Sequence, residues 1–432
     1  MNELELNKPE LEGNRMNRFL IIVLIAGLII SGTISLAPAA QDPASAKTSA
    51  GVDAPSFDTL RQEGFQSLYN LDYTTAREKF ERMIEVAPDH PAGYLYLATN
   101  LWMNVLNSSR RLQTGIYSGT SFYAETKEKV DPTVDKNFRD YVARAISLAE
   151  AKLAKDNDNI EATYYLGAAY AALGGYEASV ARSFFSALRG GSKAVDLHKR
   201  VIKLDPNYID AYLTIGMYDY IVGSLPLPVK ILAAIGGIRG SRRRGIEELK
   251  QVVERGKLAS DDARVMLIAL YNREKKFEDA LKLLTELSSK YPRNYLLKLE
   301  SAATLFNLNR RDESYRAFEE LLKSDAGKDA PDLIHYQYGE VLFNSREYKP
   351  AIDQFRAVTK LLRADHGLVS IAHLRIGQSY DMTENRKQAL AQYRLVLSRE
   401  NVYDSHDLAK KYLKKPYAPE EAKTDGEETA AS

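Results

Sequence analysis

The chain of 432 residues contains no cysteine, which excludes disulfides, thiolate metal sites, cysteine nucleophiles and a lipidated N-terminal cysteine. It also carries almost no net charge, because 59 basic residues stand against 58 acidic ones. Proteins that bind nucleic acid generally have a marked basic excess on at least one surface. We therefore expect no nucleic-acid partner.

Long apolar runs are scarce, and the longest lies near the N-terminus. Phe19 to Ala40 carries no charge, follows Arg15 and Arg18, and contains Ala37-Pro38-Ala39 as a candidate cleavage site. This pattern predicts a signal peptide or an N-terminal transmembrane anchor over residues 1–40, with Met16 as an alternative start. In either case the basic flank predicts an exported chain that is periplasmic or anchored to the inner membrane with its folded part outside the cytoplasm.

Between the two ends, the sequence repeats itself. Segments of amphipathic helix carry a small residue, a large residue four positions later and a proline eight positions beyond that. A partner helix upstream carries glycine followed three positions later by tyrosine, as at Gly167 and Tyr170 and at Gly377 and Tyr380. The small, large and proline positions are Ala76, Phe80 and Pro88; Ala194, His198 and Pro206; and Ala280, Leu284 and Pro292.

These residues resemble the tetratricopeptide repeat, a helical hairpin of about 34 residues. The same sequence, through "YDYIVGSLP" and "RGSRRRGIEEL", is similar to exported bacterial repeat proteins. The resemblance implies an all-α, right-handed solenoid of helical hairpins, in which small residues let paired helices approach closely and proline ends the second helix.

The spacing of the repeats predicts the organisation of the chain. Residues 41–56 form a flexible linker, and 57–260 form an N-terminal half with insertions at 107–137, 179–193 and 223–244. Regular repeats occupy 261–404, and 405–432 form a terminal segment with a disordered acidic tail.

The resemblance also implies a binding groove, lined by the first helix of each repeat. Apolar, aromatic and amide side chains at the family's groove positions suit a peptide or a helix of a protein partner. Any one of them could instead pack against a neighbouring helix. The predicted groove residues are Asn272, Arg273, Leu296, Leu299, Phe306, Asn307, Tyr336, Glu340, Phe343, Asn344, Gln378 and Asp381.

The insertion "GSLPLPVKILAAIGGIRGSRRRG" combines an apolar run with basic residues. The run is too short to span a membrane, and burial in the core is the simplest interpretation of it. Contact with a membrane surface and docking of a partner remain open. The residues concerned are Leu225, Leu227, Ile231, Leu232, Ile235, Arg239, Arg242, Arg243 and Arg244.

No pattern in the chain indicates catalysis, a cofactor or a metal. The glycines of the insertion lack the lysine and the preceding strand of a phosphate loop, and His335 and His373 occupy matching repeat positions that normally pack in the core. We expect a noncatalytic scaffold that binds an envelope protein. Binding of a membrane or an apolar ligand through residues 225–238, and an unrecognised enzyme built from the insertions, are the alternatives.

Overall fold

The computed structural model describes residues 55–112, 131–235, 239–402 and 404–419. The predicted export segment, the linker up to residue 54 and the acidic tail beyond 419 lie outside these residues. Much of the first predicted insertion, 113–130, also lies outside them. No helix among the described residues is both long enough and apolar enough to cross a bilayer.

The described residues form two compact units, the first ending at Leu308 and the second beginning at Asn309. The first unit contains the helices α1 (Phe57–Tyr69), α2 (Tyr73–Val86), α3 (Pro91–Ser108), α4 (Pro132–Lys155), α5 (Ile160–Ser179), α6 (Phe184–Leu204), α7 (Tyr212–Gly223), α8 (Leu227–Ile235), α9 (Arg242–Arg255), α10 (Ser260–Arg273), α11 (Phe277–Lys290) and α12 (Tyr295–Asn307). The second contains α13 (Arg311–Lys323), α14 (Pro331–Asn344), α15 (Tyr348–Lys360), α16 (His366–Met382), α17 (Arg386–Leu397) and α18 (Ser405–Lys414). The boundary between the units falls inside the array that the repeat spacing predicts over 261–404.

Paired helices are held together by the small and large residues that define the repeat. A Cβ atom added at Gly377 of α16 would lie 2.5 Å from the ring of Tyr393 on α17, and one at Gly339 of α14 would lie 2.6 Å from the ring of Phe355 on α15. Both rings are fully buried. Only glycine leaves room for them, which is the packing that the repeat pattern predicts.

The second predicted insertion, 179–193, is taken up mainly by helix. The helix α5 has 20 residues and α6 has 21, whereas the regular second helices α11 and α13 have 14 and 13. Gly174 and Gly190 pack backbone to backbone, because a Cβ at Gly190 would lie 3.2 Å from the Cα of Gly174. The extra residues therefore lengthen one helical hairpin.

The first unit also contains contacts between helices that are far apart in sequence. The rings of Tyr69 and Tyr291 stack with centroids 4.8 Å apart, and Asn294 Nδ2 donates to the carbonyl of Tyr69 at 2.7 Å. On α3, Asn107 accepts a hydrogen bond of 2.8 Å from the hydroxyl of Tyr295. The start of this unit thus packs against its end.

Candidate functional site

In the second unit, a polar cluster on the first helices of two hairpins includes several of the predicted groove residues. Arg375 of α16 donates two hydrogen bonds to Glu340 of α14, at 2.6 and 2.7 Å, and a third to Gln378 at 2.9 Å. Its guanidinium also lies 5.1 Å from the ring centroid of Phe343. Burial lowers the pKa of Arg375, but the charges of Glu340 and Tyr336 and the hydrogen bonds to Glu340 together raise it above its usual value, so the guanidinium stays charged.

A second part of the same cluster is centred on Asp381, whose side chain is fully buried. Its carboxylate accepts two hydrogen bonds from Arg386, at 2.9 and 3.0 Å, and one from the hydroxyl of Tyr393 at 2.7 Å. Burial, together with this contact, raises the pKa of Tyr393. These three donors satisfy the hydrogen-bonding capacity that the buried carboxylate would otherwise lose.

The chain's own C-terminal segment lies on this cluster. The backbone N–H of Tyr417 donates to Asp381 at 2.8 Å, and Arg386 donates to the carbonyls of Tyr412 and Leu413 at 2.6 and 3.0 Å. The ring of Tyr417 lies with its centroid 6.0 Å from that of Phe343. We call Glu340, Phe343, Arg375, Asp381 and Arg386 the tail-binding face, because together they hold main-chain groups and one aromatic ring of residues 412–417.

The predicted groove residues thus differ in what they do. In the second unit, Tyr336 and Gln378 are buried and only Asn344 is exposed. In the first unit, Leu296 and Leu299 are buried in helix packing. Asn272, Arg273 and Phe306 are half-buried and Asn307 is exposed. The set therefore includes both core and surface positions, as the sequence leaves open.

Sequence reasoning missed the residues that hold the tail. Arg375 and Arg386 are not at groove positions of the repeat pattern, and residues 405–419 are assigned there to the terminal segment. The amphipathic stretch "SHDLAKKYLKKPY", with buried Ala409 and Tyr412, is the signal that could have indicated the last helix.

The histidines at matching repeat positions make matching contacts. His335 Nδ1 lies 2.7 Å from Oε1 of Gln354, and His373 Nδ1 lies 2.8 Å from Oε1 of Gln392. Burial lowers the pKa of His373. Each pair joins the two helices of one hairpin; His373 is buried, as a packing role requires, whereas His335 is half-buried. The described residues contain no cluster of three side chains suited to a metal ion.

The apolar run of the insertion at 223–244 predicts a segment buried in the core, but several of its side chains are exposed to solvent. Leu227, Ile231 and Ile235 on α8 are 71, 54 and 79% exposed, so the core interpretation is wrong for these three, while Leu225 is half-buried. The side chain of Leu232 lies outside the described residues.

The arginines that follow this apolar run begin the next helix. Arg242 contacts Glu274 at 3.3 Å, and Arg244 forms an ion pair with the buried carboxylate of Asp219. Arg239 and Arg243 are exposed. Ser241 caps α9, because its hydroxyl accepts from the N–H of Arg244 at 3.4 Å.

A cavity of about 520 Å³ lies in the first unit, where α1 meets α10 and α11. Tyr69 and Tyr291 line it together with Asp261, Arg264 and Lys290. Asp261 contacts Lys290 at 2.5 Å and Arg264 at 3.1 Å. Arg61 and Lys257 also line the cavity, so its basic side chains outnumber its one carboxylate.

Comparison with known proteins gives structural likeness only. No protein-family model and no curated protein matches the sequence. Human IFIT1 bound to m7Gppp-AAAA is similar over 96% of this chain and 87% of its own, at 12% identity and a TM-score of 0.41. Yeast Tom70 is similar over 83% of this chain and 88% of its own, at 12% identity and a TM-score of 0.36. A tetratricopeptide-repeat protein of Thermus thermophilus is similar over 58% of this chain and 99% of its own, at 17% identity and a TM-score of 0.32.

The fold itself follows from the described helices. They are paired through the small and large residues of the repeat, and no strand occurs among the residues described. The described residues therefore form an all-α array of helical hairpins, as the repeat pattern predicts.

Proposed function

We propose that this protein is a noncatalytic scaffold that acts outside the cytoplasm and binds an extended segment of an envelope protein on its tail-binding face. A helical-repeat fold is the coarse basis for a protein-interaction role. One observation carries the specific proposal: the tail-binding face already holds a peptide of this chain through main-chain contacts at Asp381 and Arg386.

The chemistry of these contacts is suited to a peptide. A carboxylate that accepts a backbone N–H and a guanidinium that donates to two backbone carbonyls fix the direction of a chain without reading its side chains. Phe343 and Arg375 add an apolar and a cationic contact for one aromatic side chain of the ligand. The tail residues 415–417 would then compete with the partner for one surface.

Site-specific crosslinking tests this function. A photoreactive amino acid replaces Asn344, which is exposed at the end of α14 beside the face, in the full chain and in a chain that ends at Lys414 and so keeps α18. We expect a crosslinked protein partner to appear or increase in the shortened chain, because Tyr417 no longer occupies Asp381 and Phe343, while α18 keeps its contacts with Arg386.

The matched control places the same amino acid at Glu320, which is exposed on α13 of the same unit. The partner crosslink from position 344 should be weakened by Asp381→Asn and absent from position 320. Identical crosslinks from both positions, or a pattern unaffected by loss of the tail, would contradict the proposal.

Export can be tested separately, because the chain contains no cysteine. An Asn344→Cys variant provides one thiol that a membrane-impermeant maleimide can label from outside the inner membrane. We expect labelling in cells whose outer membrane has been permeabilised, without lysis. Labelling that requires lysis would place the repeats in the cytoplasm.

A further inference from the structure

The insertion leaves and re-enters the first unit through a narrow base. A Cβ at Gly240 would lie 2.6 Å from the carbonyl oxygen of Asp219 and 2.9 Å from the N–H nitrogen of Gly223. A Cβ at Gly223 would collide with the backbone of Ser241 and Arg242. Both positions therefore require glycine, and the two ends of the insertion are held together at one point.

The helix between these ends has little support from the rest of the unit. Among the described helices, α8 makes no extensive contact with another element, whereas α7 and α9 on either side of it pack closely on each other. Lys230 fixes its start, because its ammonium donates to the carbonyl of Gly223 at 3.2 Å.

The exposed side of α8 is apolar. Leu227, Ile231 and Ile235 follow at intervals of four residues, which places them in one stripe along a helix. All three are more than half exposed to solvent. Scattered apolar residues are normal on a protein surface, but a continuous stripe of large aliphatic side chains marks an interaction site.

The charge around this stripe has one sign. Between Val222 and Gly245 the sequence has five basic residues and no acidic one. Arg242 and Arg244 contact Glu274 and Asp219. Arg239 and Arg243 are exposed, and neither forms an ion pair with an acidic side chain among the described residues.

We propose that α8 docks on a membrane surface rich in anionic lipid, with Leu227, Ile231 and Ile235 in the interface and Arg239 and Arg243 among the head groups. A helix of nine residues is about 13 Å long, which suits a position in the plane of the interface and not a span of the bilayer.

The positive charge around α8 argues against two other molecules or segments that could cover the apolar stripe. A second copy of the chain would bring the same basic residues against each other. The chain's own apolar segment, Phe19 to Ala40, follows Arg15 and Arg18 and would also add positive charge. An anionic lipid surface is complementary to both the apolar stripe and the arginines.

Tryptophan fluorescence tests the proposal in the full chain. The only tryptophan, Trp102, is fully buried and gives a constant background. An Ile231→Trp variant places a second tryptophan on the stripe, and a Leu362→Trp variant places one at an equally apolar position that is fully exposed in the second unit. Both variants keep the N-terminal segment, so any anchoring by that segment affects them alike.

The vesicles contain brominated phosphatidylcholine with or without phosphatidylglycerol. We expect the indole introduced by Ile231→Trp to be quenched only in the anionic vesicles, and the one introduced by Leu362→Trp to be quenched in neither. Adding Arg239→Gln and Arg243→Gln should lower the partition of position 231 into anionic vesicles roughly thirtyfold, because each basic residue near the surface contributes to binding.

Several results would overturn the proposal. They are equal quenching at positions 231 and 362, equal quenching in neutral and anionic vesicles, and no quenching at all. A blue shift of the Ile231→Trp emission that rises with protein concentration without vesicles would indicate a second copy as the occupant. A blue shift without vesicles that is independent of concentration and is lost when residues 1–40 are removed would indicate the chain's own N-terminal segment.

Discussion

His198 on α6 is an internal probe of packing in the first unit. It stands at the large position of its repeat and is 2% exposed, and its ring stacks on Tyr164 with centroids 5.0 Å apart. Its Nε2 lies 3.1 Å from the carbonyl oxygen of Tyr164. Burial lowers the pKa of His198 to about 4, so the folded protein holds a neutral imidazole.

The pH dependence follows from this lowered pKa. In the unfolded chain the imidazole has a pKa of about 6.5, so between pH 6.5 and 4 the unfolded state binds a proton that the folded state does not. The free energy of unfolding must therefore fall as the pH falls through this window. At pH 5 the loss from His198 alone is about 2 kcal/mol relative to pH 8.

Replacing His198 with Phe should remove this loss. Phenylalanine is the residue at the equivalent positions Phe80 and Phe355, where it is fully buried. Urea unfolding at pH 8 and pH 5, followed by fluorescence of Trp102 in the same unit, gives the stability of the wild type and the variant at each pH. Subtracting the variant's pH dependence cancels the contribution of the other titrating groups.

The expected result is a wild-type protein that loses about 2 kcal/mol more than His198→Phe between pH 8 and pH 5. A difference below about 0.5 kcal/mol would refute the reasoning, because the imidazole would then be solvated or hydrogen-bonded well enough to accept a proton in the folded state.

Other predictions concern buried groups elsewhere in the fold. Glu248 should give a pH dependence of stability opposite to that of His198, because burial raises its pKa to about 7. Between pH 4.5 and 7 the folded state holds a proton that the unfolded chain releases, so stability falls as the pH rises. In urea unfolding between pH 5 and 7.5, Glu248→Gln should therefore lose about 1–2 kcal/mol less than the wild type. Gly377→Ala should destabilise the second unit by about 1–3 kcal/mol, because the added methyl group collides with Tyr393. Gly191→Ala should stabilise its helix by about 1 kcal/mol, because its Cβ meets nothing within 4 Å. Thermal unfolding measures the change in stability of both variants. Asp381→Asn should free the tail and speed tryptic cleavage after Lys414 at least tenfold, since it weakens charge-assisted hydrogen bonds worth about 1.5–3 kcal/mol each. An unchanged rate would show that the tail is held by other contacts.

The parts of the fold that follow a local rule could be predicted from the sequence. The repeat pattern predicts a small residue, such as Gly377, where paired helices approach closely. In the structure Gly377 leaves room for the ring of Tyr393, and Gly339 leaves room for that of Phe355 in the same way. The same pattern places His335 and His373 at matching positions, and both make the same hydrogen bond to a glutamine nineteen residues later, although only His373 is buried.

The tail-binding face could be predicted only in part. Glu340, Phe343 and Asp381 are groove positions of the repeat, but their partners come from outside the pattern. Arg386 begins a second helix, and Tyr417 follows the last helix. A pattern of groove positions gives the surface that a ligand can reach and does not show that the chain itself occupies it.

The insertion shows why hydrophobicity alone does not predict burial. An apolar run in a folded domain is usually buried, and the run from Leu225 to Ile238 suggests the same. The close approach of Gly223 and Gly240 at the base of the insertion sets the position of α8, and packing of its apolar side chains does not. The spacing of glycines around the run carried more structural information than the run itself.

A final feature of the first unit is invisible to any repeat pattern, and it changes how that unit should unfold. In an open array each hairpin contacts only its neighbours, and stability is a sum of local terms. Here Tyr69 stacks on Tyr291, and Asn294 bonds to the carbonyl of Tyr69, across more than two hundred residues of chain. These contacts are formed only when every hairpin between them is in place. Opening any one of those hairpins therefore also breaks the contacts between Tyr69, Tyr291 and Asn294, so the unit should unfold as a single cooperative element. For this reason the fluorescence of Trp102 can report on His198, which lies three helices away along the chain.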